Sequence, residues 1–450
     1  MNEYLESRNP VNKKLIGKVL ITNVEDINTI IEKSKIAQKK WKKIPIEERI
    51  QYLVKAAEQL IPEINRLAVL LSKEMGKDLN RSIGEVSGCA YDVSYRARDI
   101  KDAVKTQIFE NSGMKTQMQY NPLGVCAVIS PWNYPLAMAH WLIIPSLITG
   151  NSVVFKPSEE TPLIAQEYVD LFNKVLPKDL LQIIHGNEKQ GKALVNSDVN
   201  LIAFTGSKDA GIDIMKNASS GLKRLIMELG GKDSLIVLKD ANIDGAARFA
   251  VASSFENAGQ MCTSTERVFV HRSIADIFES KVIQYARNYK VGPWDEESDI
   301  GPIINDKQRN NILAQIEDAC QKGAKIIFGE KQDKEGFILP TILTNVNNKM
   351  KVFQDETFGP IVSISYFDTN EEAIEKANDS EFGLGAVIYG KDGVEQVAQE
   401  LEAGMLGINQ GLGSAGDTPW VGSKQSGFGY HGSPDGHRQF TQVKIITQRA

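Results

Sequence analysis

Short continuous apolar runs alternate with stretches of helical periodicity through most of the chain. Val125-Cys126-Ala127-Val128-Ile129, Ser152-Val153-Val154-Phe155-Lys156, Leu181-Gln182-Ile183-Ile184-His185-Gly186 and Leu201-Ile202-Ala203-Phe204-Thr205 read as strands, the first of them apolar on both faces. Helices are predicted through 147, over 163–175 and from Gly206-Ser207 to about 218. Strand and helix in alternation predict a parallel sheet with crossover helices, the architecture of a doubly wound nucleotide-binding domain. Leu225-Ile226-Met227-Glu228-Leu229-Gly230-Gly231-Lys232 reads as a hinge, after which the alternation restarts. Leu235-Ile236-Val237-Leu238, a helix over 243–257, Ala324-Lys325-Ile326-Ile327-Phe328 and Ile361-Val362-Ser363-Ile364-Ser365 belong to this second half. Two α/β domains of comparable size are thus predicted to meet near Gly230.

The first hundred residues follow a different rhythm. Ile50, Leu53, Val54, Ala57 and Leu60 recur at helical spacing, Leu67, Leu70 and Leu71 extend that register past Pro62, and a further helix is predicted over 81–104. Between 105 and 120 two polar strands flank the turn Asn111-Ser112-Gly113. Such a hairpin has nothing of its own to bury against, so it reads as an arm that pairs with another subunit. The glycine-rich 422–430 reads as a loop, and Val443-Lys444-Ile445-Ile446 as an edge strand able to pair with the hairpin.

Composition changes this picture little. The 450 residues carry a formal charge of -5 with acids and bases nearly balanced, so no nucleic-acid partner is indicated. No apolar stretch approaches a membrane span, and the first residues lack the pattern of a signal peptide. Cys89, Cys126, Cys262 and Cys320 are scattered, which argues against both a disulfide framework and a zinc site. No metal and a reducing, cytoplasmic setting are expected.

The candidate chemistry is dispersed. Cys262 follows an apolar helix among small and polar residues; a thiol there is either buried filler or an activated nucleophile. Phe204-Thr205-Gly206-Ser207 passes from strand to helix, where free N–H groups can hold a diphosphate, although such junctions occur in any α/β protein and no GxGxxG follows any strand. Lys156 and Glu159 follow a strand end and can bind ribose hydroxyls, or form a solvated turn. Glu228, before Gly-Gly in an apolar hinge, suits a general base or a paired structural acid. Asn133, in a rigid aromatic and proline-rich loop, can donate to an oxyanion or brace the turn.

Taken together and in order, these pieces resemble the NAD(P)-dependent aldehyde dehydrogenase superfamily. The resemblance rests on Pro131-Trp132-Asn133-Tyr134-Pro135, Lys156-Pro157-Ser158-Glu159, Phe204-Thr205-Gly206-Ser207, Glu228-Leu229-Gly230-Gly231-Lys232, Asn257-Ala258-Gly259-Gln260-Met261-Cys262, Glu356-Thr357-Phe358-Gly359-Pro360 and Lys424-Gln425-Ser426-Gly427-Phe428-Gly429. It implies Cys262 as nucleophile, Asn133 and the Cys262 N–H as oxyanion donors, and Glu228 as activator of the water that hydrolyses a thioester. It further implies that Lys156 and Glu159 hold the adenine ribose, Ser207 (after Gly206) and Trp132 the pyrophosphate, and Glu356 and Phe358 the nicotinamide ribose and ring. The implied fold is a cofactor-binding domain (1–104 and 123–229), a catalytic domain (230–429) and an oligomerisation arm (105–122 and 430–450), assembled as a homodimer or homotetramer. A carboxylate at Glu159 repels a 2′-phosphate, so NAD is the expected cofactor, with NADP use allowed.

The chain departs from its relatives in several places. Many carry Lys at the position of Leu142, where it is thought to help proton transfer. Their usual Phe-Gly-Gly is here Trp420-Val421-Gly422, and their usual Arg after the last glycine is Tyr430. Succinic-semialdehyde dehydrogenases place Arg at the positions of Trp141 and Glu256, and both are missing, although Asn409-Gln410-Gly411-Leu412-Gly413-Ser414 is similar to that branch. An unpaired carboxylate in a closed pocket is costly, and Trp at 420 also occurs in betaine- and amino-aldehyde dehydrogenases, where an aromatic wall faces a cation. A pocket of Trp141, Glu256, Met261 and Trp420 is therefore expected to take an uncharged or cationic aldehyde, unless Glu256 caps its helix and Trp420 merely packs. The rival readings are a succinic-semialdehyde dehydrogenase, a CoA-acylating enzyme (against which Glu228 argues) and a non-catalytic relative. A cysteine hydrolase is disfavoured, since none of the five His lies near Cys262 in a recognisable motif.

Overall fold

A computed structural model describes residues 3–329, 336–413 and 415–449. Ser414, which ends the run compared above with the succinic-semialdehyde branch, lies outside them.

The first half is built on a six-stranded sheet in the order Gly427–Phe428, Arg224–Glu228, Leu201–Thr205, Val125–Ile129, Ser152–Lys156, Leu181–Ile183. All neighbours are parallel except Gly427–Phe428, which runs antiparallel to Arg224–Glu228. The chain starts in the centre at Val125–Ile129, winds outward through Ser152 and Leu181, then reverses to Leu201 and Arg224. That is the doubly wound order the sequence predicts. Successive side chains of a strand point to opposite faces, and the apolar runs obey this. Cys126, Val128, Val153 and Phe155 join one buried cluster with the helices Ile46–Glu58, Ile64–Met75 and Pro135–Ile148. Val125, Ala127, Ile129 and Val154 join another with the helix Val24–Trp41.

The second half is a seven-stranded sheet in the order Lys325–Phe328, Thr341–Thr344, Ile361–Phe367, Thr265–His271, Asp233–Val237, Gly385–Tyr389, Met405–Ile408, with only Lys325–Phe328 antiparallel. A three-stranded arm stands apart. Thr441–Arg449 pairs along the whole of Met114–Pro122, and Gln107–Asn111 pairs on the other side. It exposes Ile108, Phe109, Met114, Val443 and Ile445.

Several boundaries differ from expectation for local reasons. The register does not run through Pro62, which lacks an N–H; a 3-10 turn, Ile61–Glu63, separates two helices. The stretch 81–104 is two helices, Leu79–Tyr91 and Val93–Ala103, meeting at Asp92. The Asp92 carboxylate binds His140 at 2.7 Å and the Arg96 guanidinium. The strand from Leu181 stops at Ile183 because His185 turns to exchange backbone and hydroxyl bonds with Thr22. The 422–430 loop contains two short strands, Ser423–Lys424 and Gly427–Phe428. Among the described residues no helix is long and apolar enough to cross a membrane, no metal-ligand group occurs, and all four cysteines are free.

Candidate active site

In an open α/β sheet, ligands bind beyond the carboxyl ends of the strands where strand order reverses. Here those ends deliver Trp132 and Asn133 after Ile129, Gly206 and Ser207 after Thr205, Glu159 after Lys156, and Glu228 itself. Facing them is the chain between the helix Ile243–Phe255 and the strand Thr265–His271, which carries Cys262.

That connection is strained and braced. Helical geometry ends at Phe255, short of the expected 257, because Asn257 (φ 50°), Ala258 (φ 58°) and Gly259 (φ 72°) all take left-handed backbone. For a non-glycine residue this costs roughly 1–2 kcal/mol. Gln260 offsets it: Nε2 donates to the carbonyls of Asn257 (3.0 Å) and Pro302 (3.2 Å), and Oε1 accepts from the N–H of Ile304 (2.9 Å). Glycine at 259 is required, since a Cβ there would lie 2.1 Å from the Gly359 carbonyl oxygen.

The turn presents a half-buried thiol to a buried carboxylate. The Cys262 thiol donates toward Glu228 Oε1 at 3.6 Å, while Glu228 Oε2 accepts from the Thr205 hydroxyl at 3.2 Å. Burial, then the negative charges of Glu228, Asp233 and Glu356, push the Cys262 thiol well up from its ordinary pKa. Asn133 lies against the same turn, its Nδ2 donating to the Gln260 carbonyl at 3.0 Å, and Asn257 Nδ2 donates to both that carbonyl and the Asn133 carbonyl at 3.2 Å. The three residues expected to do the chemistry are therefore brought together across the crevice.

The glycine pair at the hinge lets two loops close on each other. A Cβ at Gly231 would lie 2.4 Å from the Cys262 carbonyl oxygen, and one at Gly230 would lie 2.5 Å from Glu356 Oε1. The Gly231 N–H donates to Glu356 Oε1 at 3.0 Å. Burial, reinforced by the neighbouring Glu266 charge, pushes the Glu356 carboxyl up to about 8. Glu266 in turn accepts the N–H groups of Thr357 and Phe358 at 2.8 Å and binds the buried Lys232 ammonium. Phe358 (φ 52°) is thereby held with its ring 5.6 Å from that of Trp132, edge to face.

At the far end of the crevice, Lys156 Nζ donates to the Pro157 carbonyl at 2.8 Å and lies 3.6 Å from Glu159 Oε2. Lys156 is buried while Glu159 is about half exposed. Ser207 caps the helix Lys208–Ala218 through the N–H of Ala210, and the Gly206 N–H donates to the Glu228 carbonyl at 3.0 Å.

The four residues expected to face substrate separate into two pairs. Trp141 and Trp420 stand with ring centroids 6.0 Å apart on the wall of a cavity of about 650 Å³, together with Arg96, Asp417 and His431. Glu256 and Met261 line a different cavity of about 230 Å³ beside Asp233 and Phe249. Glu256 is the C-cap of its helix; its Oε1 accepts from the Tyr134 hydroxyl at 3.1 Å and lies 3.8 Å from Arg81 Nε.

A profile of the aldehyde dehydrogenase family matches residues 1–446. The chain belongs to that family. It is similar to the 3-sulfolactaldehyde dehydrogenase of Priestia aryabhattai (36% identical; 99% of this chain, 94% of the relative). It is also similar to a chloroplastic aminoaldehyde dehydrogenase of Arabidopsis thaliana (34%; 98% and 91%). The crystal structure of betaine aldehyde dehydrogenase from Staphylococcus aureus in complex with NAD+ superposes with a TM-score of 0.94 (32% identity; 99% and 92%). The protein is an aldehyde dehydrogenase, an oxidoreductase of mixed α/β fold. Three neighbours of the thiol and carboxylate in this aldehyde dehydrogenase were given no role by the sequence. Thr205 and Gln260 stand inside motifs that carry the resemblance but were assigned nothing there, and His431 lies far along the chain from the cysteine.

Proposed function

We propose that this aldehyde dehydrogenase oxidises an aldehyde to a carboxylate through a covalent adduct on Cys262, with Glu228 as general base. The observation that carries this is the 3.6 Å approach of the thiol to a buried carboxylate. Sγ adds to the aldehyde carbon, giving a thiohemiacetal. An amide nitrogen has two N–H groups; Asn133 uses one on Gln260, and the other, with the Cys262 N–H, is assigned to the oxyanion. Bound NAD(P) would supply the hydride acceptor. The thioester left on Sγ is attacked by water whose proton Glu228 takes, and the carbon–sulfur bond breaks. A CoA-acylating enzyme needs no such base, so hydrolysis is the assigned outcome; assaying product with and without CoA tests it.

The donor set suits a dinucleotide. Lys156 and Glu159 supply an ammonium and a carboxylate for a ribose diol, the start of the Lys208–Ala218 helix supplies N–H donors for a diphosphate, and Trp132 and Phe358 offer aromatic faces. Glu356 closes the nicotinamide side. NAD is the assigned preference, because Glu159 repels a 2′-phosphate. The six-stranded sheet and its helices form the cofactor half in this reading, and the seven-stranded sheet the catalytic half. The apolar face of the 105–122 and 430–450 arm is assigned to a homodimer or homotetramer interface, in a cytoplasmic enzyme.

For the substrate, an uncharged or cationic aldehyde is favoured. The cavity behind the two tryptophans is lined by Asp92, Asp99 and Asp417 against Arg96 and His431, so its wall carries an excess of acids. The Tyr134 and Arg81 contacts take up part of the Glu256 charge, as His140, Arg96 and His437 do for Asp92 and Asp417, so the two indole faces and the acidic lining support the reading together. Catalytic efficiencies across acetaldehyde, 3-aminopropionaldehyde, betaine aldehyde, succinic semialdehyde and 3-sulfolactaldehyde decide it; an anionic aldehyde at the top of that ranking would overturn the reading.

A further inference from the structure

Glu228 has a neighbour on the side away from the thiol. His431 Nε2 stands 3.7 Å from Glu228 Oε2, and both side chains are more than nine-tenths buried. The ring is fixed in place: its centroid lies 5.8 Å from that of Trp141, and the His431 carbonyl accepts from the Trp420 N–H at 3.0 Å. Glycine at 436 permits this packing, since a Cβ there would lie 2.9 Å from the His431 carbonyl carbon. His431 also forms part of the wall of the 650 Å³ cavity. One carboxylate therefore joins the thiol on one side to an imidazole on the other, and the imidazole borders a cavity wide enough for many waters. Leu142 is buried among apolar side chains and offers no proton carrier.

We propose that His431 is the proton acceptor behind Glu228, relaying to solvent in the Trp141–Trp420 cavity the proton that Glu228 takes from the hydrolytic water. This rests on the reading of Glu228 as general base. Water gives a proton to Glu228, its oxygen bonds to the acyl carbon, and the carbon–sulfur pair leaves on Sγ. The carboxyl then passes its proton to neutral His431 at Nε2, and the imidazolium releases one from Nδ1 to cavity water, which restores the carboxylate. His431 acts through Glu228 and is a positioning residue in this scheme. Charged groups near it are engaged with one another, Asp99 with Arg98 among them. His437 donates to Asp417 (3.2 Å), Asp92 binds Arg96 and His140, and the Arg96 guanidinium lies over Trp141 at 5.0 Å.

The test uses p-nitrophenyl acetate, which acylates a thiol directly, so the burst of p-nitrophenolate reports acylation and the steady state reports deacylation. In His431→Gln a burst of one p-nitrophenolate per active site is expected to remain, while deacylation falls about tenfold or more relative to acylation and its pH profile loses one limb. In His431→Ala, added imidazole is expected to restore deacylation in proportion to its concentration. A structural role alone gives neither the lost limb nor the rescue. If Glu228→Gln abolishes deacylation but His431→Gln keeps the wild-type rate and profile, the relay is wrong and the base assignment stands. If Glu228→Gln deacylates normally, both fall.

Discussion

Glu228 is given two opposite duties by its position, and a single substitution separates them. As the proposed general base it speeds hydrolysis of the acyl-enzyme. As an anion 3.6 Å from Sγ it opposes formation of the thiolate, and it ranks after burial among the causes that raise the Cys262 pKa. Two full charges at that separation in an effective dielectric of about 20 repel by roughly 4–5 kcal/mol. The thiol is only half buried, so solvent screens much of this. Even a third of it, about 1.4 kcal/mol, is a tenfold change in thiolate population. Glu228→Gln removes the charge and keeps the shape. The expected outcome is alkylation of Cys262 by iodoacetamide about tenfold faster or more at pH 7.5, read by mass spectrometry of the Cys262 peptide. In the same variant, steady-state aldehyde oxidation should fall by roughly 10²–10⁴, the range for loss of a general base, with one NADH per active site still released in the first turnover. Slower alkylation in the variant would refute the electrostatic part of this account and make Glu228 the activator of the thiol as well as of water.

Other predictions follow from single contacts. Gly259→Ala combines a left-handed φ with a 2.1 Å clash against the Gly359 carbonyl oxygen, so about 2–4 kcal/mol of stability and most activity should be lost; a melting temperature within a degree of wild type would contradict it. Lys232→Met leaves Glu266 buried without its partner and should cost about 3–5 kcal/mol in urea unfolding. Glu159→Gln should raise kcat/KM with NADP relative to NAD by about tenfold, and an unchanged ratio would remove Glu159 from cofactor choice. Glu74, buried under the N–H groups of Leu163 and Ile164, is pushed up by burial to about 7 from 4.5. Its contribution is therefore fully present below about pH 4.5 and lost as pH rises through about 7, by at most roughly 3 kcal/mol. The stability difference between wild type and Glu74→Gln should shift toward the Gln variant from pH 5.5 to 8.5, and a difference flat in pH would contradict it.

The doubly wound sheet was legible because burial on both faces leaves continuous apolar strands. Val125–Ile129 is buried at every position, and its alternate side chains serve two separate clusters. The arm was legible as a hairpin with no core of its own, although the strands read as polar expose Ile108 and Phe109. Helix boundaries were less legible where tertiary contacts decide them. Asp92 interrupts a pattern that local propensity would continue, and the end of the Cys262 helix depends on Gln260 reaching Pro302 and Ile304.

The same division runs through the active site. Cys262, Glu228 and Asn133 were each ambiguous alone and took their expected roles from the ordered motifs around them; the structure adds a backbone duty beside two of them, the left-handed turn before Cys262 and the close-packed glycines after Glu228. His431 has no such neighbour pattern that points to Glu228. It reaches the carboxylate because Gly427–Phe428 adds antiparallel to the strand that ends in Glu228, which carries the chain after it back across the hinge. A strand of two residues, too short to read from periodicity, thus places an imidazole beside the proposed base.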